Sequence, residues 1–394
     1  MRPRYANPVY LCAPVRTPIG TFGGALAALS AAELGAHAAR ACLERAGLAP
    51  EHVDLTIMGC GRQAGVGPNV ARQISHRAGV PDAVPAYTVN QACASSLAGI
   101  IQAWQTVALG DADVILAGGT ESMSNTPYLL PKARWGYRLG HGELVDGMYR
   151  DGFLCPLCGE LMGATAETLA DRYRISRAEQ DAFAVESQRR AQAARVDGRL
   201  AAEIAPFPGV LDADEHPRAG VTVERMAKLP AVFRDAGTVH AGNASGITDG
   251  AAALLVASEA AVARHGLKPI VRCMEWSNVG VDPAIMGIGP VPAVRKILER
   301  QEIAINDIDL IELNEAFAAQ VLAVARDLGL DLDRVNVNGG AIALGHPIGA
   351  TGARIVVTLL HEMARRERGL GLATLCVSGG MGVALLVERV GAAA

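Results

Sequence analysis

Apolar residues along this chain fall in short blocks separated by glycine, proline and charged breaks, not in one long periodic array. Ser30 opens the first helical pattern. Glu33 stands at the capping-box spacing and Gly47 supplies a stop, so a helix is expected over 30–47. Val53 to Met58 is an apolar run of strand length. Ala86 to Val89 reads as extended and Leu97 to Leu109 as helical. Asp111-Ala112-Asp113 leads into a strand at Val114 to Ala117, with a turn expected at Gly118-Gly119. Ala251 to Ala257 also has buried-strand length. This alternation predicts an α/β fold with buried strands.

The pattern repeats. Leu43-Glu44-Arg45 is echoed by Leu298-Glu299-Arg300, and Val53-Asp54-Leu55 by Ile308-Asp309-Leu310, at a common offset of 255 residues. The same offset carries Cys93 to Ile348, inside Gly345-His346-Pro347-Ile348-Gly349-Ala350-Thr351-Gly352. A helix over 353–365, a strand from Leu372 to Val377 and Gly379-Gly380 follow, the order seen after Cys93. Two copies of one α/β unit are expected, with equivalent helix starts facing one shared site. Between them, 121–240 is rich in Gly, Pro and charge, carries a helix from Arg177 to Asp197, and reads as an insertion that covers or shapes a site. The expected division is 1–120 with 241–269, the insertion 121–240, and 270–394.

Composition narrows the function. A chain of 394 residues needs more than one core. Half the residues are hydrophobic, yet no run approaches the ~18 apolar residues of a membrane span. The N-terminus runs into Val9-Tyr10-Leu11 without a signal-like stretch, so a cytoplasmic protein with no membrane partner is expected. A net charge of −4 with no basic stripe argues against nucleic acid. The eight cysteines are scattered, which argues against a disulfide framework.

Candidate chemistry gathers at strand ends and helix starts. Cys93, in Asn90-Gln91-Ala92-Cys93-Ala94-Ser95-Ser96, has its sulfur near a helix N-terminus, where free N–H groups favour thiolate. The same residue also reads as a buried, inert thiol. His346 lies in a glycine-rich turn before a helix, Cys376 ends a buried strand, and Asn314 follows another; each alone also has a structural reading. Cys155-Pro156-Leu157-Cys158 lacks the second pair a structural zinc needs. His361-Glu362 meets Arg365 where a metalloprotease string needs histidine. Gly242 to Gly246 matches a serine-hydrolase elbow only loosely. No metal site is expected.

Taken together, these segments resemble the thiolase family over nearly the whole chain. The resemblance rests on Arg16 to Gly24, Val89 to Leu97, Gly118 to Ser124, Ala241 to Gly246, Asn314 to Phe317, Asn338 to Gly340, Gly345 to Gly352, and Leu375-Cys376 with Gly379 to Gly382. It implies two thiolase-type βαβαβαββ halves, a five-layered αβαβα core and an inserted loop domain. It implies a CoA-dependent acyltransferase acting in fatty acid metabolism, with acyl-CoA and acetyl-CoA as partners. Coenzyme A would be substrate and product, with no tightly bound cofactor, and the enzyme a homodimer or homotetramer with 127–140 as the tetramer contact. Cys93 would be acylated, His346 would take its proton, and Cys376 would serve as acid and base at carbon. His346 with Asn314 would form one oxyanion hole, and the backbone N–H groups of Cys93 and Ser378 the other. Ser245, Ala316, Phe317, Leu161 and Met162 would line the CoA and acyl site. The leading expectation is an acetyl-CoA acetyltransferase. The alternatives are a degradative 3-oxoacyl-CoA thiolase for longer or unusual chains and, more remotely, a non-catalytic acyl-CoA-binding relative. A decarboxylating 3-oxoacyl synthase normally lacks the second cysteine.

The chain departs from the family pattern in four places. Ser96 replaces a glycine, which is expected to alter the acyl pocket. Ser378 takes a position often held by glycine. Leu161 replaces a histidine on the pantetheine side. The short 206–221 stretch lacks a basic segment, leaving Arg218 or Arg225 as candidates to pack on the CoA adenine.

Overall fold

In the computed structural model, which describes residues 1–391, the chain begins with β1 (Val9–Arg16) and the short β2 (Gly20–Thr21). Then come α1 (Ala31–Ala46), β3 (Leu55–Gly59), α2 (Val70–Arg77), β4 (Ala86–Val89), α3 (Ser95–Leu109) and β5 (Val114–Ser122). The insertion carries a small hairpin, β6 (Tyr128–Leu129) with β7 (Val145–Asp146), and helices α4 (Met162–Tyr173), α5 (Arg177–Val196), α6 (Arg199–Glu203) and α7 (Val223–Met226). The chain returns through β8 (Thr248–Ser258), α8 (Glu259–His265), β9 (Pro269–Gly280), α9 (Pro290–Gln301) and β10 (Leu310–Leu313). It ends with α10 (Ala318–Leu328), α11 (Ala341–Leu344), α12 (Ile348–Arg366), β11 (Leu370–Val377) and β12 (Met381–Arg389). Residues 392–394, at the end of the expected third segment, lie outside the described residues.

The strands form one large sheet in the order β10-β11-β12-β9-β1-β8-β5-β3-β4. Its two wings meet at β1 and β9, which pair antiparallel with Leu11 opposite Val271. β3 lies parallel between β4 and β5, and β10 parallel to β11, so the wings repeat the same inner order. Helices α3 and α12 pack on each other between the wings. α1 and α2 cover one outer face, and α9 and α10 the other. The result is a five-layered αβαβα stack.

The core follows the layers. One cluster joins Leu97, Ile100 and Trp104 of α3 to Ile355, Val356 and Leu359 of α12 and to both wings. A second packs α1 on the first wing, and a third packs α9 and α10 on the other. The most apolar helical stretch, Ala92–Leu109, reaches a mean hydropathy of 1.2 over 18 residues, the length of a membrane span. It is 67% buried between the two wings, which marks it as a core helix. The insertion is tied down by charge. Fully buried Arg16 of β1 donates to Glu203 at 2.6 Å and to both oxygens of Asp214 at 2.6 and 2.8 Å. Removing one partner of such a buried set costs about 3–5 kcal/mol.

Local rules account for most boundaries. Ser30 caps α1 in a reciprocal box with Glu33, and Gly47 ends it at φ 62°. Ser176 and Glu179 form a second box that starts α5. α12 begins at Ile348, five residues ahead of the expected start, because Pro347 sits in extended backbone at its N-cap. The expected turn at Gly118-Gly119 is not there: β5 runs straight through to Ser122. Both glycines serve close backbone approach instead. A Cβ on Gly118 would lie 2.1 Å from the Ala252 carbonyl oxygen, and one on Gly119 2.2 Å from that of Gly349. In the second copy, Gly379 and Gly380 do turn the chain, at φ 88° and 85°.

Candidate active site

Cys93 sits at the tip of a single 3₁₀ turn, Ala92–Ala94, between β4 and α3. The tip is held by its neighbours. Asn90 Oδ1 accepts the Ala92 N–H at 3.0 Å, while Ser95 Oγ accepts from Gln91 N–H at 3.0 Å and donates to the Ala92 carbonyl at 2.6 Å. Ala92 is forced to φ 45°, a left-handed value uncommon for alanine. Such strain persists only where surrounding contacts over-determine it. The Cys93 thiol faces the backbone N–H groups of Ser378 and of its own residue, both favouring thiolate, but burial outweighs them and raises its pKa. The resting residue is therefore a thiol that needs a base, not the preformed thiolate that the helix start alone suggests.

His346 supplies a base. Its ring is buried, and Nδ1 lies 2.6 Å from Thr351 Oγ1. The Thr351 hydroxyl donates its one hydrogen to the Pro347 carbonyl at 3.0 Å. It must then accept from His346, which puts the imidazole proton on Nδ1 and leaves a lone pair on Nε2. Nε2 has no hydrogen-bond partner. Burial first, then the charges of Arg354 and Arg62, lower the His346 pKa to about 3, so the ring is neutral at ordinary pH.

Cys376, near the end of β11, is buried, and its thiol pKa is pushed far up by burial and then by the nearby Cys93. Ser378 follows without a left-handed φ; Gly379 and Gly380 carry those values, so serine is tolerated there. Asn314 is fully buried at the end of β10, and neither amide atom has a hydrogen-bond partner. Buried Glu121 joins the loops. Its carboxylate accepts the N–H of Gly61 and Arg62 at 3.0 Å each and that of Gly349 at 2.8 Å.

Cys93, His346, Cys376 and Ser378 line one cavity of about 60 Å³, together with Met162, Ser245, Ala316 and Phe317. It adjoins an outer groove of about 490 Å³, with which it shares Phe153, Met162, Ser245 and Phe317. Leu161 lines the groove, as does Arg218; Arg225 instead donates to the Gly220 carbonyl outside it. Asn314 does not line the cavity. Ser96 is not a pocket residue either. Its hydroxyl is fully buried and accepts the Ala353 N–H at 2.8 Å, joining α3 to α12. Arg62, Phe153, Met286 and Ile348 also line the cavity and were not expected there. For Ile348 a signal existed, since the internal repeat maps it onto Cys93.

Residues 9–260 match the thiolase N-terminal domain and 267–389 the thiolase C-terminal domain. The chain belongs to the thiolase family. This thiolase is 51% identical to the acetyl-CoA acetyltransferase of Syntrophomonas wolfei over 96% of its own length and 98% of that protein's. It is likewise 51% identical to the acetyl-CoA acetyltransferase of Escherichia coli K12, covering 95% and 97%. Its fold superposes on the crystal structure of the Bacillus anthracis acetyl-CoA acetyltransferase with a TM-score of 0.95, at 45% identity over 98% of this chain and 100% of that one. The human mitochondrial 3-ketoacyl-CoA thiolase in complex with CoA gives a TM-score of 0.95 at 42% identity, covering 97% and 98%.

Proposed function

We propose that this thiolase is an acetyl-CoA acetyltransferase that works through an acyl-Cys93 intermediate. The observation that carries the reading is the convergence of a thiol, a neutral imidazole and a second thiol on one small cavity. In condensation, His346 Nε2 takes the Cys93 proton as sulfur attacks the thioester carbon of acyl-CoA. The oxyanion forms beside the N–H groups of Cys93 and Ser378; each such donor contributes about 3–4 kcal/mol at the transition state. Collapse expels CoA, which takes the Cys376 proton and leaves as the thiol, while His346 keeps the Cys93 proton on Nε2. The acetyl group now on Cys93 is neutral, so one of the two influences holding the Cys376 proton is gone. Cys376, now a thiolate, removes a methyl proton from acetyl-CoA; the carbanion attacks the acyl carbon and releases Cys93, which recovers its proton from His346. His346, through its Nε2–H, and a water held by Asn314 would serve the enolate oxygen. Thiolysis is the same path reversed, with Cys376 as the acid.

The outer groove would hold the pantetheine, with Leu161, Met162, Ser245 and Phe317 along it, Ala316 at the inner cavity and Arg218 toward the adenine. We assign 1–120 with 241–269 and 270–394 to the two catalytic halves, and 121–240 to covering the CoA. The cavity of about 60 Å³ favours short acyl groups over long ones. The proposal extends to a cytoplasmic homodimer or homotetramer in fatty acid metabolism. The 127–140 segment supports the larger assembly, since Trp135 is 85% and Leu139 98% exposed; sedimentation velocity reads this directly. The test of function is thiolysis of a chain-length series of 3-oxoacyl-CoAs by wild type and Cys93→Ala. The reading expects activity on the shortest members and none in the variant; full activity in Cys93→Ala would overturn it.

A further inference from the structure

Cys155-Pro156-Leu157-Cys158 holds two thiols that the mechanism leaves unused. Local rules bring them together. Pro156 fixes its own φ near the value a turn needs. The Gly159 N–H donates to the Cys155 carbonyl at 2.8 Å, and Gly159 leaves the turn at φ 74°. Around it, the Cys155 N–H donates to the Glu160 carbonyl at 2.8 Å, and Leu154 pairs with Leu161. An i→i+4 turn of this kind is one turn of helix, in which Cα atoms three residues apart are separated by about 5 Å. A disulfide spans Cα atoms about 4.4–6.8 Å apart.

The Cys158 thiol already donates to the Cys155 sulfur. The two sulfurs differ in surroundings. Cys155 is 1% exposed and packs in one cluster with Met162, Ala316, Phe317 and Cys376. Cys158 is half-buried on a surface turn, between exposed Leu157 and exposed Gly159. Burial pushes the Cys155 thiol up. The N–H groups of Cys158 and Leu157, the Cys158 thiol and the Gly379 N–H face its sulfur and bring it below the ordinary thiol value. A stabilised thiolate beside a second, reachable thiol is the arrangement of an exchangeable dithiol.

The turn also touches the catalytic loop. Gly379 follows Ser378, whose N–H faces the Cys93 sulfur. A Cβ on Gly379 would stand 3.9 Å from Leu157 Cδ1. The Gly379 N–H therefore links the position of the Cys155 sulfur to the turn that aims the Ser378 N–H.

We propose that Cys155 and Cys158 form a redox modification site, a dithiol that closes to a disulfide by exchange with a low-molecular-weight disulfide and slows turnover through the Gly379 turn. With Cys155 as thiolate, the Cys158 proton passes to it as the Cys158 sulfur attacks the small disulfide. One small thiolate leaves, and a mixed disulfide remains on Cys158. Cys155 then attacks the Cys158 sulfur, and its proton goes with the second small thiol. Two protein thiols are oxidised and one small disulfide is reduced. Closure turns the Cys155 sulfur from a strong acceptor into a weak one. The Gly379 N–H loses its partner, and the turn beside the oxyanion site loosens.

The experiment treats the full-length protein with glutathione disulfide, blocks free thiols by alkylation and maps tryptic peptides by mass spectrometry. Peptide 151–172 carries both cysteines and no other. In wild type it is expected to lose two hydrogens and both alkylation sites. The kcat for acetoacetyl-CoA thiolysis is expected to fall about fivefold, the scale of one lost hydrogen bond, and to return with dithiothreitol. Cys158→Ser is expected to keep its kcat over the same interval. A wild-type peptide that stays fully alkylated, or that stops at a glutathione adduct on Cys158, overturns the site. An equal loss of kcat in Cys158→Ser assigns the loss to other thiols and overturns the link to turnover, as does a closed pair with unchanged kcat.

Discussion

Thr351 fixes the tautomer of His346. The threonine hydroxyl lies 2.6 Å from Nδ1 and gives its own hydrogen to the Pro347 carbonyl, so the imidazole must hold its proton on Nδ1. Nε2 then meets the cavity as a lone pair. Thr351→Val keeps the shape and removes the acceptor. It is expected to lower kcat for acetoacetyl-CoA thiolysis by about tenfold or more, with KM moving little and Thr351→Ser recovering most of the rate. Steady-state kinetics on the three proteins checks this; an unchanged kcat in Thr351→Val would separate Thr351 from the chemistry.

The low His346 pKa sets the acid limb. Burial and the charges of Arg354 and Arg62 hold it at about 3, so the base stays available well below the ordinary histidine range. The kcat/KM profile should therefore show no loss centred near 6.5, the unperturbed value. The stability sign follows: the folded pKa is lowered, so this contribution is present above the unfolded value and lost as pH falls toward 3. A clean single-proton limb at 6.5 in kcat/KM would place a different environment around the ring.

Glu312 acts in the opposite direction. Burial pushes its pKa up to about 8, against the pull of Arg354, whose Nη1 lies 3.3 Å from Oε2. Glu203, Glu315 and Glu362 push the same way as burial. A raised folded pKa means the contribution is complete below the unfolded carboxylate value and is lost as pH rises through about 8. Glu312→Gln should flatten the decline in stability between pH 5 and 9, read as urea midpoints. An equally steep decline in the variant would exclude Glu312 as its source.

Much of this was readable from the chain because local rules and tertiary structure agree. The Ser30–Glu33 box is complete within four residues. Cys93, His346 and Cys376 each mark a switch between strand and helix or turn, and such switches are visible in hydrophobic spacing. What was hidden depends on partners far along the chain. Gly118-Gly119 has turn composition, but its purpose is set by Ala252 and Gly349. Ser96 sits three residues from Cys93, yet its hydroxyl serves Ala353, 257 positions away. Arg62 reads as a surface arginine until the 149–153 segment folds over it.

The corrected role of Ser96 has its own consequence. Ser96→Ala leaves the buried Ala353 N–H without its acceptor, at a cost of about 1–3 kcal/mol. The urea midpoint should fall, while the ratio of kcat/KM between short and long 3-oxoacyl-CoAs stays as in wild type. A shifted ratio with unchanged stability would return Ser96 to the acyl pocket.

The central claim is that Cys93 carries the acyl group while Cys376 moves the proton at carbon. Peptide mass spectrometry of the Cys376→Ser variant after incubation with acetyl-CoA tests it most directly. The account predicts one acetyl group, on the peptide containing Cys93, accumulating because condensation is blocked. Acetyl on any other residue, or normal acetoacetyl-CoA formation by the variant, would contradict it.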